Sequence, residues 1–260
     1  MSTVTVLPIP GHRSSVEDAS EWLEQSKCDA ILLSLPEDLE QFVQGYAQGT
    51  VSEDELWNSY QLMTGISRPL VNSLRSRLKP LTTYLSNVAD GRRISLYCYE
   101  DLASHVESGR FAEKSVLLSY CARVRHDIDL EEWRKALPEE SQAAQSTWQR
   151  SIENLFDKAT QNRENAVFYG GLIGPLTKQL RELRISVKIA YMSTYWRPPL
   201  DVLRVMMRLK GPSELTDDNI RNAVELHMKY LDIVISSDDL DESQKKWANA
   251  VSFRRTTKVT

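Results

Sequence analysis

Residues 28–35 read CDAILLSL, and this stretch decides the fold. From Ala30 to Leu35 only Ser34 is polar, so both faces of a strand built from it are apolar. A strand with one wet face would alternate, whereas a continuous run suits the interior of a parallel sheet covered on both sides. Upstream, TVTVLP (3–8) alternates β-branched polar and apolar residues and is stopped by Pro8 and Pro10, which predicts a first strand. Between the two strands, Ser14 and Glu17 have the spacing of a capping box, and Val16, Ala19, Trp22 and Leu23 share one helical face. Strand, helix and strand form a βαβ unit, a crossover that is right-handed almost without exception.

The remaining chain extends this pattern. Pro36 suits the first turn of a helix carrying Leu39, Phe42, Val43 and Tyr46, and Ser52 with Glu55 sets a second capping box. Residues 36–90 read as helical. After the break at Asp90-Gly91, RISLYCYE (93–100) predicts a third strand with Ile94, Leu96 and Cys98 on one face. Residues 101–163 return to helix as a layer or hairpin. NAVFYGG (165–171), a helix from LIGPLTKQLREL and SVKIAYMST (186–194) supply a second βαβ unit. Residues 198–253 are helical, with Leu215 and Ile220 stapling the start of one helix, and 254–260 form a flexible tail. The expectation is one α/β domain: an open, mostly parallel sheet of about five strands, helices on both faces, and a large helical insertion.

Composition narrows the function classes. There are 36 acidic and 32 basic residues, a formal net charge of -4, so no global field favours nucleic acid or an anionic membrane. No window reaches the roughly 20 apolar residues that span a bilayer. Cys28, Cys98 and Cys121 lie far apart without a CxxC pair, which suits buried thiols in a reducing compartment. A cytoplasmic protein is expected.

In an open parallel sheet, ligands bind beyond the carboxyl ends of strands. Three loops meet that condition: PGHRSS (10–15), LSLPED (33–38) and YGGLIGP (169–175). In the first, His12 could serve as a metal ligand, general base or oxyanion partner because imidazole titrates near neutrality. Solvated loop histidine is the simpler alternative. Glu37, Asp38 and Glu100 are the carboxylates able to join His12, while Arg13, Gly170, Gly171 and Arg197 are candidate ligand contacts. The glycines lack the GxxxxGK[ST] pattern, and close packing of strand on helix explains them equally well. Neither His105 nor His126 belongs to an HxxxH or HExxH pair, and His227 falls on the stripe Ile220, Val224, Leu231 and Val234. No GxSxG elbow occurs. Arg75 and Arg77 on one helix and Arg204 and Arg208 on another form candidate basic patches, without the interleaved aromatics of a nucleic-acid surface. The helix over 200–210, with Met206 and Met207, could mediate self-association.

The stretch PGHRSSVEDASEWLEQSKCDAILLSLPEDLEQF, followed later by ENAVFYGGLIGPLTKQLREL, resembles the TraB/PrgY family and its wider relatives, the Tiki-type proteases and ChaN-like proteins. That family runs from a strand through a GTxH-type loop and a helix to a strand of the form DxVxVELD, with a later GxGHxxG turn. Gly11-His12 match the first loop and Asp29 to Leu35 the second strand. The resemblance implies a site built on a second-strand glutamate and a late histidine; Ser34 and Leu172 stand at those two positions here. Neither can act as a carboxylate base or an imidazole ligand. What it implies is a non-catalytic or divergent TraB-like protein acting through a protein partner or self-association. The alternatives are a metal-assisted hydrolase, in which His12, Glu37, Asp38 and Glu100 would hold a divalent metal, and nucleic-acid or nucleotide binding through a basic patch.

Overall fold

The computed structural model describes residues 2–9, 13–88, 94–191, 198–236, 242–243 and 246–247. Where the sequence predicts a single domain, contacts divide the chain into two compact units, Met1–Arg110 with Gln142–Tyr195, and Phe111–Ser141 with Trp196–Thr260.

The first unit is an α/β fold around an open sheet. Its strands are β1 (Thr3–Pro8), β2 (Ala30–Pro36), β3 (Ser95–Glu100), β4 (Glu164–Tyr169) and β5 (Ser186–Ile189). They lie in the order β3-β2-β4-β1-β5, and every pair is parallel. From β1 the chain passes through α1 (Arg13–Gln25) to β2 and on to β3 through α2 (Glu40–Ala47), α3 (Glu53–Thr64) and α4 (Arg68–Val88). It then reverses. From β3 it returns through α5 (Leu102–Arg125) and α6 (Leu130–Thr160) to β4, and α7 (Ile173–Glu182) carries it past β1 to β5. Because crossovers keep one hand, reversing their direction moves the connecting helices to the opposite face.

The buried side chains follow that division. Leu7, Ile31, Leu33, Cys98 and Phe168 point to the side covered by α1 to α4, where they meet Val16, Leu23, Val43, Trp57 and Leu81. Val4, Val6, Leu32, Tyr99 and Val167 point the other way, onto Ile152, Leu155 and Ala159 of α6 and Leu176 and Leu180 of α7. Ala30 to Leu33 and Leu35 therefore lie interior, as the apolar run predicts, while Cys28 is half-buried, Asp29 is exposed, and the strand itself begins at Ala30.

Local signals fix several helix ends. Ser52 accepts from the Glu55 backbone N–H at 3.2 Å, and the Glu55 carboxylate accepts from the Ser52 N–H at 2.7 Å, completing the expected capping box. The corresponding expectation for α1 fails. Ser14 lies inside the helix, which runs from Arg13, and Glu17 takes the Arg13 guanidinium at 3.1 Å instead of reaching back to a cap.

The second unit is helical. The later part of α5 and the first part of α6 join α8 (Pro199–Lys210) and α9 (Asp217–Ile235) around Trp133, Leu137, Leu203, Ile220 and Val224. Thr216 caps α9 in a capping box with Asn219, and both Leu215 and Ile220 are buried, as the predicted staple requires. Glu140 of α6 is buried and its Oε1 accepts from Arg204 at 2.6 Å and Arg208 at 2.5 Å. Burial pushes its carboxyl pKa up, but the two guanidinium charges and hydrogen bonds outweigh that and hold it below the usual range.

Candidate functional site

The sheet directs attention to the carboxyl ends of β2 and β3. After β2 the chain leaves toward the layer of α1 to α4, through a short 3-10 turn over Glu37–Leu39. After β3 it leaves through α5 toward α6, whose last turns cover the opposite face. Adjacent strands whose connections part in this way leave a crevice between them, the usual ligand position in open α/β sheets. Here the crevice has a volume of about 480 Å³. Glu37 and Asp38 line it from the segment after β2; Glu100 from the end of β3; Asp101 from the link that follows; Leu102, Ala103 and Arg110 from α5; and Arg150 from α6.

A polar chain runs down from Glu100. Ser34 of β2 donates its hydroxyl to Glu100 Oε1. The other carboxylate oxygen, Oε2, stands 2.9 Å from His105 Nε2, close but without hydrogen-bond geometry. On the far side of the ring, Nδ1 shares a hydrogen bond with the Tyr60 hydroxyl at 3.2 Å. Tyr60 is buried, and burial together with the nearby Glu100 charge raises its pKa well above that of a free phenol, with Arg77 opposing. It is thus a neutral brace for the imidazole.

Each member is positioned by its element. A register irregularity between Leu33 and Pro36 in the pairing of β2 with β3 spans Ser34 and Leu35, and Pro36 comes level with Glu100. His105 sits one turn into α5, and Gly109, one turn later on the same face, lets that helix approach Ile66. A Cβ at Gly109 would fall 2.5 Å from the Ile66 side chain. That close approach is what brings His105 to Tyr60.

The arrangement differs from a serine nucleophile relay, where an imidazole separates hydroxyl and carboxylate. Here the carboxylate is in the middle. Ser34 and His105 contact Glu100, and among the described residues no imidazole contacts Ser34 to take its proton. What the chain supplies is a carboxylate held in place at the floor of a charged crevice.

The other predicted residues fall as follows. Glu37 accepts from Asn154 Nδ2 at 2.9 Å and lies 3.8 Å from Lys158, while Asp38 is exposed. His12 and Arg197 lie outside the described residues. Arg13 is on α1 with Glu17. Gly170 would bring a Cβ only into ordinary contact with the Ile9 carbonyl, but at Gly171 a Cβ would collide with the Tyr169 phenol, so packing accounts for that glycine. Arg75 pairs with Glu53 at 3.1 Å and Asp54 at 2.7 Å, and Arg204 and Arg208 hold Glu140, so these three guanidiniums are committed to carboxylates. Arg77 lies on α4. Among the described residues, no group of three or more His, Cys, Asp or Glu is placed to hold a metal ion, and no helix is long and apolar enough to cross a membrane.

No protein-family model, curated protein or solved structure matches this chain. The site must be read from its own chemistry.

Sequence reasoning placed Glu37, Asp38 and Glu100 as partners, but only with His12. It did not single out Ser34 as a hydrogen-bond donor, nor His105, Tyr60 or Arg150. One signal was available: a carboxylate at a strand end, followed five residues later by a histidine in the first turns of a helix. Tyr60 carries no such signal, because it occupies an apolar helical stripe. Arg150 approaches the crevice only through the return of α6, 50 residues after Glu100.

Proposed function

We propose that this chain is a divergent TraB-like α/β protein that works by binding, its β2/β3 crevice taking a cationic group presented by a protein partner. One observation carries the reading: five carboxylates, Glu37, Asp38, Glu100, Asp101 and Glu107, line a single crevice against two guanidiniums, with Glu100 braced by Ser34 and His105. A primary amine or guanidinium is the group such a lining attracts. The TraB resemblance fits this reading. The position at which that family carries its second-strand glutamate is Ser34 here, yet Ser34 is bonded to Glu100, so a carboxylate stands beside the vacated place.

Titration calorimetry at low salt tests it. Nα-acetyl-lysine methylamide is expected to bind, and the norleucine analogue without the amine is not. Asp38→Asn, at an exposed position that leaves the core intact, and Glu100→Gln should each weaken binding several-fold, and added salt should weaken it further. Equal binding of the two compounds would overturn the cationic reading.

A second reading, the metal-assisted hydrolase, draws on the fact that Glu37, Asp38 and Glu100 line the same crevice. It requires His12 to bring an imidazole to them. Metal analysis of the purified protein beside His12→Ala separates the two: stoichiometric zinc or manganese lost on that substitution would favour the hydrolase.

A further inference from the structure

We propose that the ligand of the crevice is a basic residue bearing a free α-carboxylate, as at the C-terminus of a polypeptide, with its side-chain cation toward Glu37, Asp38 and Glu100 and its carboxylate on Arg150. This rests on the cation-binding reading and adds to it an anion subsite and hence a ligand class.

The lining is divided by charge. The segment after β2 brings only carboxylates, Glu37 and Asp38, whereas both guanidiniums come from the helices that follow β3, Arg110 paired with Glu107 at 2.6 Å and Arg150 beside Asp101. Arg150 is held in a particular way: its Nε lies 3.1 Å from Asp101 Oδ2, and its terminal nitrogens make no hydrogen bond or ion pair with the described residues. A guanidinium clamped through Nε keeps its pair of Nη donors, the edge that matches a carboxylate in two parallel hydrogen bonds.

Asp101 is itself braced. Its Oδ1 accepts from the Ala103 N–H at 2.8 Å, and its own N–H donates to Ser151 Oγ at 3.1 Å. The clamp therefore stands on a fixed base at the start of α5, whose first residues Leu102 and Ala103 also line the crevice. The positive end of that 24-residue helix adds to the field on the arginine side.

Size and charge narrow the class. At about 480 Å³ the space is at the small end of ligand pockets, suited to one or two residues and not to a folded surface. A phosphate would bring nearly two negative charges beside Asp101 and Glu107, whereas a carboxylate brings one and shares the planar geometry of the guanidinium. Leu102, Ala103 and Val106 supply the apolar surface along which the methylene stem of a lysine or arginine lies.

Calorimetry on the full chain decides it, with three probes: Nα-acetyl-lysine, its methylamide, which lacks the carboxylate, and free lysine. Nα-acetyl-lysine is expected to bind at least tenfold more tightly than the methylamide, and Arg150→Gln to abolish the difference between the two compounds. Arg150 is well exposed, so the substitution does not threaten folding. Equal affinities for the acid and the methylamide would overturn the carboxylate subsite and leave the cationic reading standing. Free lysine binding more tightly than the acetylated form would replace a polypeptide terminus with a free amino acid. Binding by none of the three would remove the cationic reading as well.

Discussion

Glu140→Ala is expected to destabilise the protein by about 3–5 kcal/mol, the usual cost of breaking a buried ion pair by removing one partner. Its carboxylate is 4% exposed, and Oε1 alone serves both Arg204 and Arg208. Without it, two guanidiniums lie together, with Asp201 left to pair Arg204 at 3.0 Å and Phe111 beneath it. Typical total stability is of order 5–15 kcal/mol, so such a loss would leave little margin. Glu140→Gln keeps the shape and removes the charge, and its effect should fall between wild type and alanine. The pH dependence has a definite sign. A carboxyl whose folded pKa lies below its usual value of 4.5 contributes stability above that value and loses it as pH falls through the lower, folded pKa. Urea midpoints measured from pH 7 to pH 3 should therefore fall more steeply for wild type than for Glu140→Gln. A Glu140→Ala midpoint unchanged from wild type would show that the ion pair contributes nothing.

Phe168→Ala should be comparably severe, at about 3–5 kcal/mol. Phe168 belongs to β4, which lies between β2 and β1 and is level with Leu7 across the pairing. It is 1% exposed and packs into the layer beneath α1 to α4, where no solvent can fill the space its ring leaves. The melting temperature should drop by roughly 10 °C for a chain of this size. A change below about 1 kcal/mol would mean that β4 is not the centre of the sheet.

The sheet was legible from the sequence where local chemistry decides local structure. An unbroken apolar run with flanking helical stripes can be read as an interior parallel strand, and β2 is one. Ser52 with Glu55, and Leu215 with Ile220, mark helix starts because a cap or staple needs only residues a few positions apart. The order of strands was not legible. Nothing in ENAVFY states that it inserts between β2 and β1, since that depends on how the helices of both faces pack. Ser14 with Glu17 misled for a related reason: a capping-box spacing does not exclude an earlier helix start, and Arg13 offers Glu17 a stronger partner.

The crevice follows the same division. Glu37 and Asp38 were found because strand ends are the general ligand position in such sheets. In the sequence Ser34 stands only as the replacement of a carboxylate, and its partner, Glu100, is 66 positions away. Tyr60 and His105 meet across 45 positions, through a helix approach that a glycine permits. Contacts of that range are set by the fold and leave no periodic trace in the sequence.

The crevice is tested most directly by following the backbone amide resonances of the isotopically labelled full chain while Nα-acetyl-lysine is added. The expected result is saturable shifts concentrated at Ser34, Glu37, Asp38, Asp101, Leu102, Ala103 and Arg150, and lost in Arg150→Gln with Asp38→Asn. Saturable shifts centred elsewhere, or none at saturating ligand, would contradict the assignment of the β2/β3 crevice as the binding site.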